Sequence, residues 1–92
     1  MTVQRAKDIR GAFNDLKTHK LPKESMAYRE LVASAIAAVD WVKGYIRVVE
    51  EAIERSDLTT FKDPRGELVI AKNELAELDN LRNDISAWIK SA

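Results

Sequence analysis

Few residues of this chain have the chemistry needed for catalysis, and their spacing does not bring them together. The sequence holds one histidine, His19, and no cysteine, and its three glycines are isolated. Metal sites need several ligands at set spacings, and nucleophilic catalysis needs a base beside the nucleophile. His19 stands three residues before Pro22 in a polar segment, which is typical of an exposed histidine. We therefore predict no metal, no cofactor and no enzymatic activity.

Two charged residues fall where the helical pattern calls for apolar ones. Arg82 occupies the apolar row of a helix that also contains Leu75, Leu78 and Ile85, and Glu74 lies on the other side of the same row. Such a side chain reaches out to water, forms an ion pair that fixes the packing within the fold or across a dimer, or contacts a ligand. We assign both residues to a candidate partner-binding set, and they are also the candidates of a less favoured alternative, a small helical enzyme.

Large apolar residues at the edge of a second helix complete that set. Trp41, Tyr45 and Val48 follow one another at spacings of four and three, which places them along one side of a helix. A row of this kind is either covered by another helix of the fold or left uncovered as a protein interface. The sequence leaves this choice open, and we predict Trp41, Tyr45 and Val48 as partner-binding residues.

Charge is unevenly distributed along a chain whose net charge is zero. Residues 1–23 contain six basic and two acidic side chains, and the acidic excess lies in the remainder. A basic first helix can complement an acidic body within one fold, or it can bind nucleic acid. Nucleic-acid binding is therefore kept as an alternative function, and its candidate residues are Lys7, Arg10, Lys17, Lys20 and Lys23.

Apolar spacing predicts three helices and no strands. From Tyr28 to Ile53 apolar residues recur every three or four positions without a proline, which predicts a helix over about 23–56. Asp63 followed by Pro64 is a helix-start signal, and a second long helix is predicted over 64–90. A shorter helix is predicted over about 2–18, with Thr2 as its cap. The expected fold is all-α: a long antiparallel hairpin with the short helix packed on it, a three-helix bundle forming one domain over 1–92.

The apolar surface of the central helix exceeds what one neighbour can cover. The row from Tyr28 to Ile53 and the neighbouring row that contains Trp41, Tyr45 and Val48 together span an arc of roughly 200° around the helix. A helix packed on one side needs an apolar arc of roughly 100°. We therefore predict a protein-protein interaction module, an adaptor, assembly factor or inhibitor of the kind that phages and plasmids encode against larger host proteins. A homodimer would also cover the excess surface. Without a signal peptide or an apolar run long enough to cross a membrane, the sequence predicts a cytoplasmic protein.

Overall fold

The computed structural model describes residues 5–57 and 59–91 and confirms the all-α prediction. Its element order is α1 (Arg5–Thr18), α2 (Met26–Glu54) and α3 (Pro64–Lys90). The long helices α2 and α3 form an antiparallel hairpin, and α1 packs against both. Since Arg5 lies over Trp41 while Phe13 lies beside Tyr28, α1 runs antiparallel to α2 and parallel to α3. Thr2, the predicted cap of α1, lies outside the described residues.

The start of α2 differs from the predicted boundary near residue 23. The helix begins at Met26 because Ser25 acts as the N-cap, and its side-chain oxygen accepts a hydrogen bond from the backbone N–H of Ala27 at 3.3 Å. Pro22 instead closes the preceding turn, with its carbonyl accepting from the N–H of Ser25. The other end also differs, since α2 ends at Glu54 rather than near 56, whereas α3 has the predicted bounds of 64 and 90.

Both α1 and α2 end in a left-handed turn that uses a residue other than glycine. Lys20 has φ 54°, and the N–H of Leu21 donates to the carbonyl of Leu16. Ser56 has φ 55°, and the N–H of Asp57 donates to the carbonyl of Ala52. This six-to-one bond, with a left-handed residue just before its donor, is the Schellman arrangement, which satisfies carbonyls at the end of a helix. These two turns end the helices and direct the chain back along the bundle.

The loop between α2 and α3 is held by side-chain hydrogen bonds to two aspartates. Asp57 accepts hydrogen bonds from the hydroxyl and backbone N–H of Thr59 and from the hydroxyl of Thr60, and these bonds lower the pKa of its carboxyl group. Asp63 caps α3 by accepting from the backbone N–H of Gly66 at 3.1 Å. The Asp63-Pro64 signal in the sequence is therefore confirmed as the start of the third helix.

The core consists of two clusters along the hairpin, and α1 contributes to both. One cluster includes Ala6 of α1 and Leu78 of α3, and the other joins Phe13, Tyr28 and Leu81 from the three helices. The row predicted to bury in α2 is buried at Tyr28, Ala35, Val39, Val42 and Val49, and half-buried at Val32, Ile46 and Ile53. The main apolar row is therefore the spine of the core, as predicted.

The bundle is a rod in which α1 reaches along only part of the hairpin. Its principal extents are 51 × 17 × 16 Å and its radius of gyration is 15.8 Å, compared with about 12 Å for a compact globule of this length. At 1.5 Å per residue α1 is about 21 Å long and α2 about 43 Å. The loop end of the hairpin therefore extends past Arg5, the first described residue of α1. None of the described helices is both long and apolar enough to cross a membrane.

Candidate functional site

Five residues of α2 form a surface that the rest of the fold covers incompletely. Asp40, Trp41, Gly44, Tyr45 and Val48 line an open depression, and we call these five residues the α2 patch. Trp41 and Tyr45 are half-buried, whereas Val48 is 51% exposed. Within the patch the two aromatic side chains are therefore partly covered, whereas Asp40, Gly44 and Val48 are exposed.

Part of Trp41 is covered by Arg5 of α1. The guanidinium carbon of Arg5, at the start of α1, lies 5.3 Å from the centre of the Trp41 ring. Val48 lies two turns further along α2, about 10 Å beyond Trp41 at 1.5 Å per residue. Trp41 is consequently covered by the first residue of α1, and Val48 lies past it on the same side of α2. Helical periodicity does not distinguish the two residues because seven positions separate them, whereas the contacts with Arg5 and Tyr45 are made by Trp41.

Gly44 is an exposed glycine that lines the depression. A Cβ atom placed on Gly44 would meet no atom of residues 5–57 and 59–91 within 4 Å, and its φ angle is not in the left-handed region. Glycine in a helix interior costs about 1 kcal/mol relative to alanine. Nothing inside the described fold accounts for that cost. A glycine at this point leaves the α2 backbone accessible between Trp41 and Val48.

Stacking and hydrogen bonding hold the aromatic part of the α2 patch in place. The rings of Trp41 and Tyr45 are stacked at 5.4 Å with an interplanar angle of 7°. Phe61 of the loop packs edge-on against Tyr45 at 6.0 Å. The Tyr45 hydroxyl donates to Glu67 Oε2 at 2.9 Å. Burial raises the pKa of Tyr45 above its ordinary value of 10.0, and the hydrogen bond and negative charge of Glu67 raise it further.

The raised pKa makes the stability of the fold sensitive to alkaline pH. Because the pKa of Tyr45 is higher in the folded than in the unfolded chain, its contribution is complete below pH 10.0 and is lost as the pH rises through the raised value. We expect Tyr45→Phe to cost about 1 kcal/mol at neutral pH, through loss of the bond to Glu67. The variant should also lose stability less steeply than the wild type above the ordinary tyrosine pKa, as measured by urea unfolding at a series of pH values.

A substitution of the acceptor separates the effect of the Glu67 charge on the pKa of Tyr45 from the other causes of the shift. Glu67→Gln removes the negative charge and keeps a side-chain oxygen as acceptor, so the pKa of Tyr45 should fall while staying above its ordinary value because of burial. The titration of Tyr45 is the difference between the tyrosinate absorbance of the wild type and that of Tyr45→Phe. An unshifted titration of Tyr45 in the wild type would contradict this reading.

Glu74, predicted as partner-binding, forms a contact inside the fold. It is 8% exposed, and its Oε1 accepts a hydrogen bond from the backbone N–H of Ala6 at 2.6 Å. Ala6 lies in the first turn of α1, where backbone N–H groups have no partner within the helix. A carboxylate there also interacts favourably with the positive end of the helix dipole. Glu74 therefore positions α1 on α3, and its part in partner binding stays a prediction.

Arg82 lies away from both Glu74 and the α2 patch. It is half-buried, and it follows Leu75 and precedes Ile89 by seven residues each, so the three share one side of α3. Among the described residues the only ion pair joins Arg10 to Asp84, so neither Arg82 nor Glu74 forms an ion pair within the described fold. An ion pair across a dimer stays a prediction. The five predicted partner-binding residues do not converge on one surface, because only Trp41, Tyr45 and Val48 lie together.

The predicted basic residues lie mostly against α3. Arg10 pairs with Asp84 at 3.4 Å, and Lys7 lines a depression with Glu77. Lys23 Nζ donates to the carbonyl and hydroxyl oxygens of Ser91 at 2.8 and 2.6 Å. Of these contacts, the pair of Arg10 with Asp84 is the one that joins a basic side chain of α1 to an acidic side chain of α3.

Two of the lysines predicted to bind nucleic acid also lie close to the ring of Trp88. Lys23 Nζ lies 4.6 Å and Lys17 Nζ 5.7 Å from the ring centre, distances at which a cation is attracted to an aromatic face. The indole N–H of Trp88 is buried without an acceptor. Lys20 is exposed in the turn after α1. Nucleic-acid binding stays a prediction, although several of its candidate side chains already have partners within the chain.

Asp40 and Gly44 belong to the α2 patch but were not predicted as site residues from the sequence. The available signal was a glycine in the interior of a long helix, between Trp41 and Val48 and without a nearby turn. His19 is exposed. In residues 5–57 and 59–91, no group of three or more histidine, cysteine, aspartate or glutamate side chains is arranged to hold a metal ion.

The fold and the α2 patch define a three-helix rod with a partly uncovered helix face. No family model, curated protein or solved structure matches the chain.

Proposed function

We propose that this protein is a non-enzymatic binding module that docks on another protein chain through the α2 patch. The observation that carries the proposal is Val48, which is 51% exposed at the edge of a depression lined by Trp41 and Tyr45. Aromatic side chains are enriched in protein interfaces, and an exposed aliphatic residue beside them extends the apolar surface. An adaptor, an assembly factor or an inhibitor would each act through such a face.

The aromatic side chains of the α2 patch are held in place within the fold, and this supports docking through the patch. The stack of Trp41 on Tyr45 and the bond from Tyr45 to Glu67 restrict the side chains before any partner arrives. Binding then costs little additional side-chain entropy, which amounts to about 0.5–1.5 kcal/mol for each flexible side chain that becomes immobilised. The depression over Gly44 accepts one protruding side chain from a partner, because the α2 backbone is uncovered there.

Site-specific photo-cross-linking in cells that naturally make the protein tests the proposal. A photoreactive residue replaces Val48, and the control places the same residue at Val69, which is 59% exposed on α3. We expect a discrete cross-linked product from position 48 and none from position 69. The absence of a product from position 48, or equal products from the two positions, would contradict docking through the α2 patch.

A further inference from the structure

The hairpin of α2 and α3 has two sides, and the described part of α1 lies along one of them. On α3 the residues that contact α1 or line depressions with it recur at spacings of three and four: Glu74, Glu77, Leu81, Asp84 and Trp88. A second row of α3 has the same kind of spacing: Lys72, Leu75, Asp79, Arg82, Ser86 and Ile89. At about 100° per residue the two rows lie roughly 150° apart around α3. The second row therefore lies on the side of the hairpin that faces away from α1.

A row of α2 borders the same side of the hairpin. Its members are again spaced by three and four residues: Arg29, Val32, Ile36, Val39 and Lys43. The rows of α2 and α3 meet, because one depression is lined by two residues of α2 and three of α3, namely Arg29, Val32, Ser86, Ile89 and Lys90. No described residue of α1 or of the loops lines that depression. We call the groove between these two rows the second groove.

The floor of the second groove is apolar and only partly covered. Val32, Leu75 and Ile89 are half-buried, and Ile36 is 43% exposed. From Arg29 to the far end of the α2 row the groove is about 21 Å long at 1.5 Å per residue, which equals the length of α1. Since α1 packs against both α2 and α3, the hairpin already binds one amphipathic helix along its other side. The second groove has the length and the apolar floor to bind another.

The rims of the second groove are basic. Its two rows and Lys90 contain five basic side chains and one acidic side chain, Asp79. The basic side chains are Arg29, Lys43, Lys72, Arg82 and Lys90. Because the net charge of the whole chain is zero, this excess is local. A helix with acidic residues beside its apolar side complements these rims, whereas a second copy docked groove to groove would place basic rims against each other.

Arg82 is the member of this basic set that lies deepest in the surface. It is half-buried, whereas the other four basic side chains are exposed. It forms no ion pair within the described fold, not even with Asp79 three residues earlier. A guanidinium beside an apolar floor binds a carboxylate through two parallel hydrogen bonds. A carboxylate of a partner would therefore account for the charge that the sequence places in the apolar row of α3.

We propose that the second groove binds an acidic amphipathic helix of another protein, with a carboxylate of that helix paired to Arg82. The α2 row of the second groove and the α2 patch lie roughly 130° apart around α2, so this site is separate from the one in the proposed function. A nucleic acid would pair with the basic rims but leave the apolar floor uncovered, so the floor favours a helix.

Two synthetic peptides test the charge of the partner. Each has about 18 residues, enough to span the groove as a helix, with leucine at every third or fourth position. One peptide has glutamate beside the leucines, and the other has lysine at the same positions. In fluorescence anisotropy at about 50 mM salt, where charges are weakly screened, the acidic peptide should bind with a dissociation constant below about 100 μM. The basic peptide should bind at least about tenfold more weakly. Equal binding of the two peptides, or binding of neither, would overturn the inference.

Matched substitutions locate the peptide on the protein. Ile36→Asp places a negative charge on the floor of the second groove and should weaken binding of the acidic peptide at least about tenfold. Val48→Asp makes the same kind of change at an exposed position of the α2 patch and should leave the dissociation constant within about twofold. Arg82→Gln should weaken binding about tenfold through loss of the ion pair, whereas Arg55→Gln removes an exposed charge at the end of α2 and should have little effect. Equal losses within either pair of variants would place the peptide elsewhere and contradict the inference.

Other occupants of the second groove are recognised by separate measurements. A wild type that sediments at twice 10.4 kDa, together with a monomeric Ile36→Asp variant, would assign the groove to a second copy and overturn the inference. Binding of duplex DNA that is lost in Arg82→Gln and kept in Arg55→Gln would assign it to a nucleic acid and also overturn it.

Photo-cross-linking from position 36 tests the inference in cells that naturally make the protein. We expect a product in which position 36 is joined to an acidic helical segment of a different protein, as identified by mass spectrometry. A product from position 48 without one from position 36 would overturn this inference and leave docking through the α2 patch intact. A product from position 36 alone would support the second groove and contradict the α2 patch.

Discussion

Phe13→Ala is expected to release α1 from the hairpin. The described part of α1 buries Ala6 and Phe13, and Phe13 is the large one of the two. It is 3% exposed and packs edge-on against Tyr28 at 6.4 Å, beside Leu81. Truncating a buried phenylalanine costs about 3–5 kcal/mol, whereas a whole domain of this size is stable by about 5–15 kcal/mol. A helix of α1's length is marginal in water on its own, so its helicity should be lost with the contact.

Hydrogen exchange distinguishes release of α1 from general weakening. In Phe13→Ala the backbone amides of α1 should exchange much faster than those of the α2–α3 core, and circular dichroism should fall by up to about a fifth, the share of helical residues that α1 holds. Phe13→Leu is the control, since it keeps most of the buried volume and should cost less than about 1.5 kcal/mol. Uniform loss of protection across the three helices would show that α1 is not a separable unit.

Helix content and the hairpin follow from local signals in the sequence. Apolar spacing defines α2, and Asp63-Pro64 marks the start of α3 because cap and proline act within a single turn. The start of α2 is less certain from sequence because Pro22 and Ser25 are both acceptable near a helix start. The structure shows that Ser25 is the cap and that Pro22 belongs to the turn before it.

The exposure of the α2 patch depends on contacts between helices, and helical periodicity does not predict those contacts. Trp41 and Val48 lie on the same side of α2, but Trp41 is the one that contacts Arg5 of α1. The sequence marks Glu74 as a charge in an apolar row, but its partner is a backbone N–H on a helix whose direction the sequence does not give. Gly44 carries no side chain to enter a pattern, and its role depends on what its neighbours leave uncovered.

After Phe13→Ala, removal of the carboxylate of Glu74 should have the next largest effect on stability. Glu74→Leu keeps the approximate size of the side chain but leaves the N–H of Ala6, which is 3% exposed, without its acceptor. An unsatisfied buried donor costs about 1–3 kcal/mol, and loss of the charge at the helix N-terminus adds about 0.5–1 kcal/mol. We expect Glu74→Leu to lower the free energy of unfolding in urea by about 1.5–4 kcal/mol in total.

Two further substitutions show which part of the interaction dominates. Glu74→Gln keeps an oxygen acceptor and removes the charge, so it should cost about 1 kcal/mol, less than Glu74→Leu. Glu77→Gln changes an exposed glutamate three residues further along α3, which lines a depression together with Ala6, and it should change stability by less than about 0.5 kcal/mol. Equal costs for Glu74→Leu and Glu77→Gln would contradict a capping role for Glu74.

The Glu74 variants also test how α1 and the α2 patch are linked. Glu74 holds the turn of α1 in which Arg5 covers Trp41, so a weakened cap should let that turn fray and increase the exposure of Trp41. Val48 lies beyond α1 and should keep its exposure. We therefore expect the tryptophan fluorescence of Glu74→Leu to be quenched more readily by acrylamide than that of the wild type. Equal quenching of the wild type and a folded Glu74→Leu variant would show that the bond from Ala6 to Glu74 does not hold Arg5 over Trp41.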